Sequence, residues 1–481
     1  MIFFYITIAY FVVIAVPIVV SIIYDKRDPV KSVSWIIVVT LIPFIGSMLY
    51  MTFGQNFRKQ KIFDKKFATD FQHTNYIVSR QLYEINSPLL SGDTGSRLYR
   101  DITTLLLNNN RSPLFKNNDV EILSDGRSAF DSIIKAIEEA KYFIHLEYYI
   151  IRDDKIGNTI ADLLKKKARD GVQVRLIYDD VGSWGLSRKF ISQLKEAGVS
   201  IFSFMPVFFP LFTSKINYRN HRKIIVIDGK IGFTGGINIA DKYIEGLKHI
   251  GAWRDIHLKL TGKSVSTLQR VFMADWNFVS GEKLDISSKY FPNYAESAKG
   301  VSLQIASSGP DSDWASIMQA FFAAITKAND YIYISSPYFM PNESILTALK
   351  VAALSGIDVK LIVPGKSDSK IVYWATRSYI TELLRSGVKV YMYAGGFIHS
   401  KLMIIDGKFS SVGSANMDVR SFEDNFEVTA FIYDCQKSKE LEEIFKTDIE
   451  NSRRVWIRWW LNRSLLHRYY ESMARLMTPL L

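Results

Sequence analysis

The 481-residue sequence predicts an α/β protein: two duplicated α/β/α sandwich halves with pseudo-twofold symmetry, preceded by an N-terminal transmembrane helical hairpin. Three observations predict it. A block reading H-x-K-x4-D-G occurs twice, from His221 to Gly229 and from His399 to Gly407. The same order of apolar strands and amphipathic helices leads into each copy. Two uncharged runs long enough to cross a bilayer precede both.

The hairpin rests on Phe4 to Ile23 and on Val33 to about Phe53, with the polar loop Tyr24–Ser32 between them. No basic residue precedes the first run and no small-x-small site closes it, which disfavours a cleaved signal peptide. Lys26, Arg27 and Lys31 lie in the loop; Arg58, Lys59, Lys61, Lys65 and Lys66 follow the second run. That imbalance puts both termini and the large domain on the cytoplasmic side. Residues 1–57 are thus read as membrane helices and 58–119 as a polar connector.

The first half, 120–284, contains the strand-like stretches Tyr142–Ile150, Val172–Asp180 and Gly198–Phe202, separated by helical periodicity, before the first motif. The second, 300–452, repeats the order with Tyr331–Phe339, Val359–Pro364 and Gly387–Tyr391. The polar segment 285–299, with Pro292, links them. Such alternation argues for a largely parallel sheet covered on both faces. The halves differ before the motif: Gly198 to His221 spans 23 positions, Gly387 to His399 only 12. The difference contains Met205-Pro206-Val207-Phe208-Phe209-Pro210-Leu211-Phe212, read as an interfacial loop or a buried segment, since such a run needs a partner. Residues 453–481, rich in Arg, Trp and Tyr, read as a C-terminal helix, either lying on anionic lipid or packed on the domain with Arg stems covering apolar surface.

In each motif the alternation of a strand places His and Lys on one face. Histidine offers a nitrogen that titrates near neutrality, lysine a fixed charge for phosphoryl oxygens. Gly235-Gly236-Ile237-Asn238 and Gly413-Ser414-Ala415-Asn416 follow at the same offset of 178 residues, adding backbone access and an amide donor. The pattern is a phosphate clamp built twice. Two histidines suggest covalent catalysis, one attacking phosphorus and the other protonating the leaving alcohol. Asp255 and Glu427 follow the two copies, and either can accept an imidazole Nδ1–H. Asp228 and Asp406 belong to the motif and are counted with its catalytic residues, although a carboxylate before a turn glycine also reads as a strand-end turn residue. Lysine beside each histidine opposes a bound cation, so no metal is expected.

The formal net charge of +12 and pI near 9.3 favour an anionic partner, nucleic acid or membrane surface. Cys435 is the single cysteine, which excludes an intramolecular disulfide.

The sequence resembles the phospholipase D superfamily, and within it the bacterial cardiolipin synthases. The resemblance runs through His221-Arg222-Lys223, Asp241-Lys242-Tyr243 and Trp253-Arg254-Asp255, then through His399-Ser400-Lys401, Asn416-Met417-Asp418 and Asn425-Phe426-Glu427, and includes the N-terminal Pro43-Phe44-Ile45-Gly46. It implies a phosphatidyltransferase of a bacterial cell membrane, multi-pass, that joins two phosphatidylglycerol molecules through a phosphohistidine and releases glycerol, without a cofactor. It implies His221 as nucleophile oriented by Asp255 and His399 as general acid oriented by Glu427. Lys223, Lys401, Asn238 and Asn416 would then hold the phosphate. Phosphatidylglycerol and anionic membrane lipid are the expected partners rather than nucleic acid. The motif also serves a phosphatidylserine-synthase-like transferase, a phospholipase D hydrolase or a nuclease, and a noncatalytic anionic-lipid binding module is a further reading. The oligomeric state is not legible.

Overall fold

The computed structural model of the chain describes residues 1, 5, 9–24, 29–42, 44–54, 72–86, 94–207, 217–284, 289–294 and 300–478. Among the described residues, eight strands belong to the first half: β1 (Phe115–Leu123), β2 (Phe143–Tyr148), β3 (Gln173–Asp179), β4 (Ser200–Phe204), β5 (Lys223–Ile227), β6 (Ile231–Gly235), β7 (Ala252–Arg254) and β8 (His257–Thr261). The second half supplies β9 (Val301–Ser308), β10 (Tyr331–Ser335), β11 (Phe339–Met340), β12 (Asp358–Pro364), β13 (Lys389–Tyr393), β14 (Gly396–Ile398), β15 (Leu402–Ile405), β16 (Phe409–Gly413), β17 (Met417–Asp418), β18 (Glu427–Ile432) and β19 (Ser452–Arg454).

Fifteen of these form one sheet, in the order β19-β13-β12-β10-β15-β16-β18-β9-β1-β8-β6-β5-β2-β3-β4. The order is nearly a palindrome about the β1–β9 seam, where Phe115 pairs with Leu303 and Asn118 with Val301. Helices cover both faces. On one, Val265–Ser280 and Cys435–Glu450 lie over a core that runs across both halves and includes Trp276, Phe272, Phe445 and Leu441. On the other, Gly126–Glu139, Lys155–Arg169 and Arg188–Glu196 cover the first half, and Ser316–Thr326, Glu343–Leu354 and Lys370–Arg385 cover the second. Several begin with a side-chain cap: Asp125, Asp154, Ser187 and Asn342 each accept the backbone N–H three residues on.

The sheet is mixed rather than largely parallel. Only the outer strands of each half, β2-β3-β4 and β10-β12-β13, run parallel; those around the seam alternate in direction. The turn after each motif explains it. Asp228 and Gly229 take φ 52° and 67°, Asp406 and Gly407 take 53° and 61°. Two successive positive φ values turn a strand straight back as a hairpin, so the chain reverses instead of crossing over.

The expected transmembrane hairpin, and with it the multi-pass placement in a bacterial cell membrane, is overturned. Among the described residues no helix is long and apolar enough to cross a membrane. The helix Pro29–Leu41 has 13 residues, about 20 Å against the ~30 Å of a hydrocarbon core. Phe44, at φ 65°, separates it from Ile45–Leu49, and a wider-wound turn, Tyr50–Gly54, follows. The pieces fold on one another: Tyr10 donates to the Val39 carbonyl at 3.1 Å and packs with Ile18, Ile22 and Tyr50.

The stretch read as a connector carries the helices Gln72–Asn86 and Thr94–Asn110 and the start of β1. Asn109 donates to Gln319 at 2.8 Å, tying the second of these helices to the second half. In the loop before the first motif, Met205 is buried in the core at φ 51°; Phe208 to Phe212 lie outside the described residues. At the C-terminus, Leu465–Leu476 packs on Lys370–Arg385, with Glu471 and Ala474 buried and Leu465, Tyr469 and Leu476 exposed.

Candidate active site

The two histidines stand where strands of opposite halves are stitched together. The lead-in to the first motif makes a parallel bridge to the second half, Asn220 to Phe426; the His221 N–H donates to the Phe426 carbonyl at 2.9 Å. The lead-in to the second motif, β14, pairs in parallel with β7 of the first half, Phe397 with Trp253 and Ile398 with Arg254. The His399 N–H donates to the Arg254 carbonyl at 2.6 Å. In both places the next residue of the partner strand is the acid.

The carboxylates therefore cross over. His221 Nδ1 lies 3.0 Å from both oxygens of Glu427, and His399 Nδ1 lies 2.6 Å from Asp255 Oδ2. This corrects the expected pairing of His221 with Asp255 and of His399 with Glu427: each acid serves the histidine of the other half, since the inter-half strand pairing, not chain proximity, sets its neighbour. With Nδ1–H donated to a carboxylate, Nε2 is left for chemistry. His221, Asn238, His399 and Asn416 line one cavity of about 170 Å³, so the two halves of the clamp face a common space.

Burial shapes the protonation of these groups. It holds His221 down to about 4, helped by Lys223 and Lys401 and opposed by Glu427. His399 is held well below the ordinary histidine value by burial, then by Lys401 and Lys242. Burial alone would raise Glu427, but His221, Lys223 and the Ser414 hydroxyl outweigh it and keep its carboxylate below the usual range. Asp255 is instead pushed up to about 6 by burial, against the pull of Lys401. Burial also lowers Lys223 well below, and Lys401 to about 8.

The remaining residues of the motifs divide. Lys223 Nζ donates to the His221 carbonyl at 2.6 Å, and Lys401 Nζ lies 2.8 and 3.1 Å from the two ring nitrogens of His399. Asn238 is partly committed: its Oδ1 accepts from the Ile150 N–H at 3.1 Å and its Nδ2 donates to the Tyr243 hydroxyl at 2.7 Å. Asn416 Oδ1 is buried with no hydrogen-bond partner among the described residues. Asp228 and Asp406, counted with the catalytic residues, sit at the far ends of their strands. Asp228 accepts the N–H groups of Lys141, Tyr142 and Phe143 at 2.7–2.8 Å; Asp406 accepts those of Asn329, Asp330 and Tyr331 at 2.8–2.9 Å. They staple the hairpin turn to the start of the neighbouring strand and touch no histidine.

The glycines also serve the protein rather than a ligand. A Cβ on Gly236 would lie 2.1 Å from Asp255 Oδ1, so the bare backbone there makes room for the carboxylate. Its counterpart is Ser414, whose hydroxyl donates to Glu427 instead. Arg222 turns away from the cavity into a buried ion pair with Asp275. A larger cavity of about 500 Å³ includes Arg222 and Asp311 but neither histidine.

Sequence reasoning missed several cavity residues. Tyr149 places its ring 4.9 Å from that of His221, and Tyr338 lies 6.4 Å from His399. Lys242 and Arg420 also line the cavity. They stand four residues after Asn238 and Asn416, so the spacing between the motif copies relates them too, a signal present in the sequence.

Comparison with known proteins identifies the family. A family model described as "Cardiolipin synthase, PLD-like domain" matches residues 133–276 and 321–449, and a Phospholipase D-nuclease N-terminal model matches 7–55. The cardiolipin synthase of Alkalihalophilus pseudofirmus is 43% identical over 463 residues, which is 96% of this chain and 91% of the relative.

The chain belongs to the cardiolipin synthase family of phospholipase-D-like proteins.

The family member from Halalkalibacterium halodurans is 44% identical over 458 residues, 95% of this chain and 90% of its own length. Among solved structures, phosphatidylserine synthase from Haemophilus influenzae Rd KW20 aligns with a TM-score of 0.60 at 15% identity, covering 79% of this chain and 100% of that one. That likeness is one of fold. Within the cardiolipin synthase family, the crossed histidine–carboxylate pairs of this chain place both halves of the repeat in one site.

Proposed function

We propose that this enzyme, a phosphatidyltransferase acting on anionic phospholipid, makes cardiolipin from two phosphatidylglycerol molecules and releases glycerol, by two displacements at one phosphorus. Family membership carries the reaction class. The observation that supports the mechanism is the pair of histidines, each tied through Nδ1 to a carboxylate of the other half, lining one cavity of about 170 Å³.

In the first displacement His221 Nε2 attacks phosphorus, the bond to the glycerol oxygen breaks, and His399 gives that oxygen its proton. In the second, His399 takes the proton of a hydroxyl of the second phosphatidylglycerol. That oxygen attacks phosphorus, and the bond to His221 breaks. Burial and the neighbouring lysines hold His399 low, and the anionic phosphate of the bound lipid is what favours its protonated form; it ends protonated as it began, so the cycle closes. The assignment of His221 as nucleophile is supported by Glu427, whose low-lying carboxylate favours the charge that builds on the attacking imidazole. Asp255, higher at about 6, suits a histidine that alternates between acid and base. Lys223, Lys401 and the amide N–H groups of Asn238 and Asn416 are assigned to the nonbridging oxygens, where charge grows in the transition state.

The test is incubation of the purified full-length protein with labelled phosphatidylglycerol and resolution of lipids and released alcohol. Cardiolipin with equimolar glycerol is expected. Phosphatidic acid alone would replace the transferase reading by hydrolysis, and cleavage of DNA without lipid turnover would replace it by a nuclease.

A further inference from the structure

A transfer between two phosphatidylglycerol molecules brings two phosphates to the site, yet the two histidines face one cavity of about 170 Å³, where a single phosphorus reacts. The acceptor lipid carries its own phosphodiester, one glycerol length from the hydroxyl that attacks. Lys242 lines the same cavity on the His399 side. Its ammonium lies 3.9 Å from the centroid of the Trp253 ring, and that ring is 5.7 Å from His399. Tyr243, the next residue, places its ring 5.9 Å from His399.

Lys242 differs from its pseudo-symmetric counterpart. Arg420 donates to the Asn217 carbonyl at 3.3 Å. No hydrogen bond or salt bridge of the Lys242 ammonium is found among the described residues; its contacts are the Trp253 and Tyr243 rings. The other charged groups near it are Asp368, Arg152, Asp255 and Lys401. Asp255 is taken by His399, and Asp368 already accepts from the Tyr338 hydroxyl at 2.8 Å. A cation held against an indole beside the general acid, and lacking an acceptor, is a built half of an anion site.

We propose that Lys242, seated on Trp253, forms a second anion subsite on the His399 side of the cavity that holds the phosphodiester of the acceptor lipid. Resting on the transferase reading above, this makes Lys242 a specificity residue that favours a phosphatidylglycerol acceptor over a neutral alcohol. The acceptor's charge is read one glycerol length from the reacting hydroxyl, which then falls beside His399.

The experiment lets one pool of phosphatidyl-enzyme choose between two acceptors. Full-length protein is given phosphatidylglycerol in mixed micelles together with labelled free glycerol. Cardiolipin reports the charged acceptor, and labelled phosphatidylglycerol reports the neutral one. In Lys242→Met the ratio of cardiolipin to glycerol exchange should fall about fivefold or more, through a raised KM for the lipid acceptor, while Lys242→Arg should stay within about twofold of wild type. An unchanged ratio in Lys242→Met would overturn the subsite. Equal loss of both products, in Lys242→Met and in the milder Lys242→Gln, would place the lysine in the central clamp and overturn it as well. Absence of cardiolipin from the wild-type protein in the same vessel would instead remove the transferase reading on which the subsite rests.

Discussion

His221 Nδ1 and the carboxylate of Glu427 lie 3.0 Å apart, although 206 residues separate them in the chain. The matching pair, His399 and Asp255, spans 144 residues in the opposite sense. Neither half can orient its own histidine, so the site exists only when β7 meets β14 and Asn220 meets Phe426.

The crossing makes the two acids separable by experiment. Glu427→Gln should lower turnover by about 10²–10⁴-fold by slowing formation of the phosphohistidine, because the attacking imidazole loses its carboxylate. Asp255→Asn should slow both formation and release, since the histidine it orients works in both steps. Rapid quenching with labelled lipid separates the two. Normal adduct formation in Glu427→Gln, with none in Asp255→Asn, would make His399 the nucleophile.

Activity should follow a bell-shaped pH profile. Asp255, at about 6, is an acceptor for His399 only above that pH, where it is charged. Lys401, at about 8, offers a positive charge only below that pH. The product of the two is greatest near pH 7, and kcat/KM on a short-chain soluble substrate should fall on either side. Lys401→Arg should carry the alkaline limb upward, as guanidinium stays charged. A profile flat from about pH 5 to 9 would exclude both groups as determinants.

Asp228 and Asp406 should matter to folding rather than chemistry. Each gathers three backbone N–H groups at a turn. Replacing either with Ala leaves those donors without their acceptor and should cost about 1–3 kcal/mol in urea unfolding. Turnover per folded molecule should hold within about threefold. A hundredfold loss of kcat with unfolding unchanged would return the residue to the catalytic group.

The C-terminal helix is tied down by Glu471, which meets Arg463 at 2.6 Å and Arg377 at 3.3 Å with its side chain 6% exposed. Glu471→Ala would strand two arginines against Trp460 and should destabilise the fold by about 3–5 kcal/mol. A change below about 1 kcal/mol in chemical denaturation would mean that water replaces the carboxylate and that the helix contributes little to the fold.

The repeat, the strand–helix order before each motif and the identity of the two histidines were legible because each is local. A motif is read within ten residues, and a strand or helix within its own period. The hairpin turns were legible too, in Asp228-Gly229 and Asp406-Gly407, but read as part of an α/β alternation they pointed to a parallel sheet; positive φ at both residues of each turn reverses the strand instead. The apolar N-terminal runs have the hydropathy of membrane spans, yet the break at Phe44 divides the second, and the described pieces pack on one another. Hydropathy counts residues and does not register where a helix ends.

By itself, then, the sequence determined which side chains carry the chemistry and that they come in two copies, because residue type and spacing are written along the chain. Only the tertiary structure decided which acid serves which histidine, that Gly236 makes room for Asp255, and that Lys242 flanks His399. Those relations depend on pairing between strands of different halves. Such pairing is set by the register and packing of the whole sheet, and no local pattern encodes a contact across 144 or 206 residues.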